Sequence, residues 1–462
     1  MHGVAVPHLP PPLAPDFRFV RLPVDCLFAV LAFTYLEQTD HRTSGIFCII
    51  LAMSEKAEIE VPPQKSTFPR SVHFAPLHIP LERRLQTLAV LFHTVALPYC
   101  IGLFFLMLAF PPFWPLLVMY VIYAYGFDHS SSNGEISRRR SPLFRRLPLF
   151  RLYCDYFPIH IHREVPLEPT FPGRLREPSG LVERWIAKMF GVQDAVVEGN
   201  ESDVKATANG NGTTKEIGPT YVFGYHPHGI VSLGAFGAIG TEGAGWEKLF
   251  PGIPVSLLTL ETNFSLPFYR EYLLSLGIAS VSRRSCTNLL KHDQSICIVI
   301  GGAQESLLAE PGTLDLILVK RRGFVKLAMS TARVSDQPIC LVPILSFGEN
   351  DVYDQVRGDR SSKLYKIQTF IKKAAGFTLP LMYARGIFNY DFGLMPYRRQ
   401  MTLVVGKPIA VPYVAQPTEA EIEVYHKQYM DELRRLWDTY KDDYFVDHKG
   451  KGVKNSEMRF VE

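Results

Sequence analysis

The residues best suited to chemistry are His226 and His228, which flank Pro227 in the run Thr220-Tyr221-Val222-Phe223-Gly224-Tyr225-His226-Pro227-His228-Gly229. Tyr221 to Phe223 favour a strand, Pro227 stiffens the turn that ends it, and Gly229 permits the tight geometry of a helix start. Two histidines on such a turn admit three readings. They can satisfy hydrogen bonds within the turn, ligate a metal, or act as a general base. Neutral imidazole suits the last, because its unperturbed pKa of about 6.5 leaves it mostly deprotonated at neutral pH. Metal ligation needs further ligands, and neither Cys-x-x-Cys nor His-Glu-x-x-His spacing supplies them. Ligands of open α/β sheets bind beyond the carboxyl ends of strands, so the N–H groups of Gly229 to Ser232 are expected to open a helix there and face an anion.

Glu305 follows the apolar run Ile296 to Ile300 and the turn Gly301-Gly302. Its carboxylate either orients a histidine or substrate, or accepts from backbone N–H groups at a helix start. Arg283-Arg284 and Lys320-Arg321-Arg322 are cationic clusters. Guanidinium forks suit phosphate, although each cluster also reads as solvated surface or as a contact to anionic lipid. No Gly-x-Ser-x-Gly elbow occurs, which argues against an acyl-serine intermediate.

These residues need a scaffold, and the pattern from Thr220 onward supplies one. Strands are predicted at Val255 to Leu260, Ile296 to Ile300, Leu314 to Val319, Cys340 to Leu345 and Met401 to Val405, with helical spacing at Leu266 to Leu276 and Phe324 to Arg333. The reading is α/β, a central mixed sheet with flanking helices. Thr418-Glu419-Ala420-Glu421 is a capping box, and Ile422, Tyr425, Tyr429, Leu433, Leu436 and Tyr440 form one face of the helix it starts.

The 462 residues carry a net charge of only +4, too small to argue for nucleic acid, while 47% are hydrophobic and mean hydropathy is positive. A membrane is the expected partner. Seven scattered cysteines suggest neither a disulfide framework nor a zinc cluster. Thr87 to Phe110 is apolar and long enough to cross a bilayer, and Pro111-Pro112 turns the chain into apolar Phe113 to Tyr125. Arg83 and Arg84 precede this hairpin and Arg138, Arg139, Arg140, Arg145, Arg146 and Arg151 follow it, which places both flanks on the cytosolic side.

The chain therefore divides into an extension at 1–52 without an expected role, a cytosolic segment at 53–84, a transmembrane hairpin at 85–126 and a basic connector at 127–172. An amphipathic and flexible insertion at 173–218, the α/β domain at 219–446 and a loose basic tail at 447–462 complete it.

From about Phe74 to Tyr444 the sequence resembles the fungal type 2 acyl-CoA:diacylglycerol acyltransferases. The resemblance is carried by Tyr156-Phe157-Pro158, His226-Pro227-His228-Gly229, Gly301-Gly302-Ala303-Gln304-Glu305-Ser306 and Arg321-Arg322-Gly323-Phe324. It continues through Phe347-Gly348-Glu349-Asn350 and Val404-Val405-Gly406-Lys407-Pro408-Ile409, and departs at Ala384-Arg385-Gly386, where the family pattern is Gly-Arg-Gly. It implies the glycerolipid acyltransferase fold behind a membrane hairpin, and transfer of an acyl group from acyl-CoA to diacylglycerol to give triacylglycerol. The implied home is the endoplasmic reticulum membrane, multi-pass with a cytosolic catalytic domain, and lipid droplets.

The catalytic candidates are then His228, His226 and Glu305, with His228 favoured as base and the reverse assignment open. Gly229, Arg283, Arg284, Arg321, Arg322, Tyr156, Phe157 and Pro158 are the substrate-binding candidates. Related glycerolipid acyltransferases carry an aspartate five positions after the catalytic histidine. Val231 and Leu233 stand there in this chain, so the orienting carboxylate is not local. Acyl-CoA is a substrate; no metal or redox cofactor is expected, and oligomeric state stays open. Other readings are transfer to monoacylglycerol or a long-chain alcohol, and a catalytically silent lipid-binding scaffold.

Overall fold

A computed structural model describes residues 73–172 except 75 and 77, together with 217–333, 337–355, 382–445 and 457–461. The extension at 1–52, the stretch 53–72 and nearly all of the 173–218 insertion lie outside the described residues.

Helix α1, Leu81–Leu108, leads through a turn at Pro111–Phe113 into α2, Trp114–Val121, which winds on as a six-residue π turn to Phe127. The expected helix–proline–helix hairpin is present, but its legs are unequal. Among the described residues α1 alone is long and apolar enough to cross a membrane. The second leg rises roughly 21 Å, short of the ~30 Å hydrocarbon core.

Helix α3, Pro148–Tyr156, turns into β1, Ile159–Arg163. The sheet domain then adds β2, Thr220–His226; β3, Val255–Thr259; α4, Tyr269–Ser275; β4, Ala279–Ser280; α5, Arg283–Lys291; and β5, Ser295–Val299. It continues with β6, Leu314–Ile317; α6, Gly323–Ser330; β7, Ile339–Phe347; the short pair β8, Asp354–Gln355, and β9, Met382–Tyr383; β10, Met401–Val405; β11, Ile409–Val411; α7, Glu419–Tyr444; and β12, Met458–Val461. The central sheet runs β1-β10-β7-β2-β5-β3-β4. Strands β7, β2, β5, β3 and β4 are mutually parallel. Strands β10 and β11 lie antiparallel along successive stretches of β7, which makes the sheet mixed. Every residue of β2 and of β7 is buried, as continuous apolar strands covered on both faces should be.

Helix α7 begins at the expected capping box and buries Ile422, Tyr429, Leu433 and Leu436. Tyr429 reaches the β2 backbone, donating to the Gly224 carbonyl at 3.1 Å. A Cβ at Gly224 would stand 2.0 Å from that hydroxyl, so this position of the strand has to be glycine.

Two expectations are corrected. Leu314–Ile317 is a strand, but it stands outside the central sheet and pairs in parallel with Met458–Val461. Residues 458–461 of the tail are therefore anchored there rather than loose, with Arg459 forked onto Asp315 at 2.7 and 2.8 Å. The arginines after the hairpin are also more than topological charge. Arg140 and Arg146 share Glu247 at 3.0 and 2.6 Å, and Arg139 pairs with Glu271. Arg145 is fully buried: it donates to the carbonyls of Ile239, Gly240 and Leu276 at 2.9, 2.8 and 2.6 Å, and to Glu242 at 2.8 Å.

Candidate active site

Three neighbouring parallel strands deliver the chemistry-bearing residues to one edge. Strand β2 ends at His226, β5 leads through Ile300-Gly301-Gly302 to Glu305, and β7 leads through Gly348 to Glu349. Because β7, β2 and β5 run side by side in the same direction, all three loops meet at the carboxyl edge, where α/β sheets place their ligands.

The two histidines have different environments. His226 has no solvent exposure, and its Nε2 is 3.0 Å from the Tyr429 hydroxyl. Since that hydroxyl gives its proton to Gly224, Nε2 carries the histidine's hydrogen and Nδ1 is left a bare acceptor, buried without a partner among the described residues. Burial pushes this imidazole down to about 3, so it stays neutral. His228, beyond the cis His226–Pro227 peptide, is part-exposed. Its Nδ1 donates to the Gly229 carbonyl at 3.0 Å, which leaves the Nε2 lone pair free of any partner among the described residues. Burial lowers its pKa and the Gly229 carbonyl opposes part of that effect, so the ring is an unprotonated base at neutral pH.

Glu305 is buried, and its carboxylate accepts from the backbone N–H of His228 and, at 2.8 Å, from that of Ile317. Neither donor belongs to a helix start and the imidazole is not touched, so Glu305 matches neither expectation as stated: it fixes the main chain at His228 and at Ile317. Burial raises its pKa to about 7 against these hydrogen bonds, which favour the charged form.

The helix after the histidine loop starts at Leu233 rather than at Gly229, and a carboxylate of the protein occupies its amino end. Glu349 accepts from the Gly234 N–H at 3.0 Å and from the Tyr225 hydroxyl at 2.5 Å. Its pKa is also raised by burial, to about 7. Gly229 has φ +59°, and a Cβ there would lie 2.7 Å from Glu349 Cγ, so glycine is required for both backbone and space. Glu349 lies in the Phe347-Gly348-Glu349-Asn350 run but is not among the expected site residues. The available signal is a glutamate two residues beyond a strand that is apolar except for Ser346.

The cationic clusters are partly united. Arg283, at the start of α5, and Lys320, Arg321 and Lys326, before and within α6, rim one cleft of about 520 Å³. Val281, Ile298, Ile300, Phe324 and Leu327 form its apolar walls. Arg321 donates to the Gln304 side chain at 3.1 Å, next to Glu305, so the cleft adjoins the loop that holds His228. Arg284 is exposed outside this lining, and Arg322 turns to Glu423 at 2.7 Å.

Tyr156 and Phe157 are fully buried below the sheet edge. The Tyr156 hydroxyl donates to the Pro396 carbonyl at 2.6 Å and Arg398 stacks 4.1 Å from its ring centre. Met401 donates its N–H to the Phe157 carbonyl at 3.1 Å, and Pro158 is exposed. In this arrangement the three residues join α3 to β10.

The fold brings these loops together at the carboxyl edge of an α/β sheet, where they form the candidate site. The family profile described as diacylglycerol acyltransferase matches residues 212–453. Diacylglycerol O-acyltransferase 1 of Eremothecium gossypii is 43% identical over 392 residues, 84% of this chain and 81% of that protein. Diacylglycerol O-acyltransferase 1 of Saccharomyces cerevisiae is also 43% identical, over 84% of this chain and 88% of its own. The 2-acylglycerol O-acyltransferase 1 of Bos taurus is 36% identical over 84% of this chain and 98% of its own. No solved structure matches the chain. The chain belongs to the diacylglycerol acyltransferase family.

Proposed function

We propose that the protein transfers a fatty acyl group from acyl-CoA to the free hydroxyl of diacylglycerol, forming triacylglycerol and free CoA. Identity of 43% along most of the chain to diacylglycerol O-acyltransferases carries the reaction, and the unpartnered Nε2 of a neutral His228 supports the mechanism. A thioester is already activated. The enzyme has to deprotonate the acceptor hydroxyl, hold it in line and stabilise the oxyanion. His228 Nε2 takes the hydroxyl proton as the oxygen attacks the thioester carbonyl. The C–S bond then breaks, and the imidazolium returns the proton to the departing CoA thiolate. Glu305 and Glu349 act on the backbone at either end of the loop and keep the base in place. The N–H groups of Gly229 to Val231 have no acceptor among the described residues and are the donors for the oxyanion. The sheet domain thus works as a glycerolipid acyltransferase fold on the cytosolic face of the endoplasmic reticulum, from which lipid droplets are accessible.

The cleft rimmed by Arg283, Lys320, Arg321 and Lys326 receives the phosphates of CoA, and its apolar walls leave room for the pantetheine arm. Arg283→Ala and Lys326→Ala are expected each to raise KM for acyl-CoA about tenfold with little change in KM for the acceptor, on the order of 1.4 kcal/mol of lost charge-assisted contact. Steady-state kinetics on microsomes checks this, and a KM that moves only for the acceptor would assign the cleft elsewhere.

A related acceptor is the second reading, supported by the 36% identity to a 2-acylglycerol O-acyltransferase. The test is acyl transfer by microsomes from cells lacking their own triacylglycerol synthesis, supplied with labelled oleoyl-CoA and, separately, diacylglycerol, monoacylglycerol or a fatty alcohol. Triacylglycerol from diacylglycerol is the expected product. Ester formed only from another acceptor would establish the second reading, and no ester at all would leave a lipid-binding scaffold.

A further inference from the structure

The carboxyl edge that carries His228 can be reached from either face of the central sheet, and the two faces are differently furnished. Side chains alternate along β2. Gly224 and His226 look toward α7: a Cβ on Gly224 would stand 2.0 Å from the Tyr429 hydroxyl and 2.6 Å from Ile300 Cδ1, and His226 reaches the same hydroxyl. Ile300, and Ile298 two residues before it, therefore face the same way. The cationic cleft that both line lies on the α7 side of the sheet.

Tyr225, between Gly224 and His226, points to the other face and meets Glu349 beside Gly234. The hairpin packs on that second face. His93 of α1 stacks on Phe236, two residues beyond Gly234, with ring centres 3.6 Å apart. Tyr153 packs edge-on against both rings and donates to the Leu233 carbonyl at 3.1 Å.

Two segments lead from the edge to this side. One runs from His228 through Val231 into the helix at Leu233. The other leaves β3, which is parallel to β5 and ends at the same edge, at Leu260 and arrives at Phe268. Phe268 is clamped by the hairpin: its N–H donates to the Tyr120 hydroxyl at 2.9 Å, and its ring lies 5.0 Å from that of Tyr120 and 5.9 Å from that of Phe104. The Tyr125 hydroxyl donates to the Ser265 carbonyl at 3.1 Å. Leu260 and Val231, the aliphatic residues where the two segments leave the edge, are 48% and 45% exposed. Covering such side chains with hydrocarbon is favourable.

We infer that the two substrates reach His228 from opposite faces of the sheet: acyl-CoA through the cleft on the α7 side, and the lipid acceptor from the hairpin side, with one of its acyl chains lying across Leu260 and Val231. This route presupposes the proposed acyl transfer. The chain is the acceptor's because the acceptor is held in the bilayer, α1 is the described helix able to enter one, and the Leu260–Phe268 segment joins the hairpin to the edge. Hydroxyl and thioester then converge on His228 Nε2 across the edge, and the sheet stands between the CoA phosphates and the lipid.

The test measures KM for dioleoylglycerol and for oleoyl-CoA on microsomes carrying wild type, Leu260→Ser, Val231→Ser or Arg283→Ala. Each serine variant is expected to raise KM for dioleoylglycerol about tenfold, as loss of a covered aliphatic side chain should, with KM for oleoyl-CoA within about twofold of wild type. Arg283→Ala gives the reverse. Alanine replaces serine at any position where the thermal midpoint departs from wild type. A second readout needs no turnover: diacylglycerol carrying a diazirine in one acyl chain, irradiated in membranes that hold His228→Ala, should label the peptide containing Leu260 and not those of α5 and α6. Serine variants that move KM for oleoyl-CoA alone or move neither KM, or crosslinks confined to α5 and α6, overturn the inference. Wild type that esterifies only monoacylglycerol corrects the proposed acceptor, and the same KM comparison with monoacylglycerol then decides the route. Wild type inactive on every acceptor removes the proposed reaction, and the crosslink alone decides where the lipid lies.

Discussion

His228→Ala is expected to lower the rate of triacylglycerol formation by about 10²- to 10⁴-fold, the range lost when a general base is removed. Membrane abundance should stay at the wild-type level, because the imidazole makes a single hydrogen bond, to its neighbour Gly229, and Glu305 holds the loop through the main chain. His226→Ala should behave differently. That ring is fully buried against Tyr429, so its loss opens the core under β2 and lowers the thermal midpoint along with activity. Turnover and thermal unfolding measured on both variants separate a base from a structural histidine. The pH profile adds a sign. Burial depresses the His228 pKa, so the ring remains deprotonated below the usual 6.5 and contributes an acid limb only below that value. Glu305 and Glu349, both raised to about 7, add a fall near pH 7 that Glu305→Gln and Glu349→Gln should remove, and an acid limb above 6.5 that survives both variants would exclude His228 as the base.

Arg145→Met is expected to destabilise the fold by about 3–5 kcal/mol, the cost of removing one partner from a buried ion pair. Glu242 would lose the guanidinium 2.8 Å away, and the carbonyls of Ile239, Gly240 and Leu276 would lose a shared donor that no water replaces at so buried a position. Arg145→Lys should recover only part of this, since one ammonium cannot serve three carbonyls and a carboxylate at once. The measurement is thermal unfolding of the solubilised protein, with a drop on the order of 10 °C for the methionine variant. An unchanged midpoint would mean that the segment after the histidine loop is held in some other way.

The parts of the fold legible in the sequence are those whose residues are buried on both faces. Strands β2, β3, β5, β7 and β10 read as continuous apolar runs because each lies inside the sheet, and the Thr418 box announced α7. Strand β1 was not legible. Its sequence Ile-His-Ile-His-Arg is short and holds only two apolar residues, and only pairing with Met401–Val405, far along the chain, makes it a strand. Leu314–Ile317 looked like a sheet strand for the converse reason: local pattern gives strand character, while membership of a sheet depends on a partner, here the tail.

The site divides in the same way. The histidine loop was visible because Pro227 and Gly229 punctuate it within a few residues. Glu349 was not, because its meaning comes from Tyr225 and Gly234, contributed by another strand and by the helix that follows the loop. The arginines after the hairpin were counted for charge alone, since a sequence shows a charge without showing the carboxylate that answers it.

The stacking of His93 on Phe236 has a practical corollary. Phe236 lies a few residues after His228 and also packs edge-on against Tyr153, while the Tyr272 hydroxyl is 3.1 Å from His93. Deleting α1 to obtain a water-soluble catalytic fragment would therefore strip one wall from the interior instead of cutting a tether. The lipophilic helix and the catalytic body are one folding unit, and purification has to preserve them together.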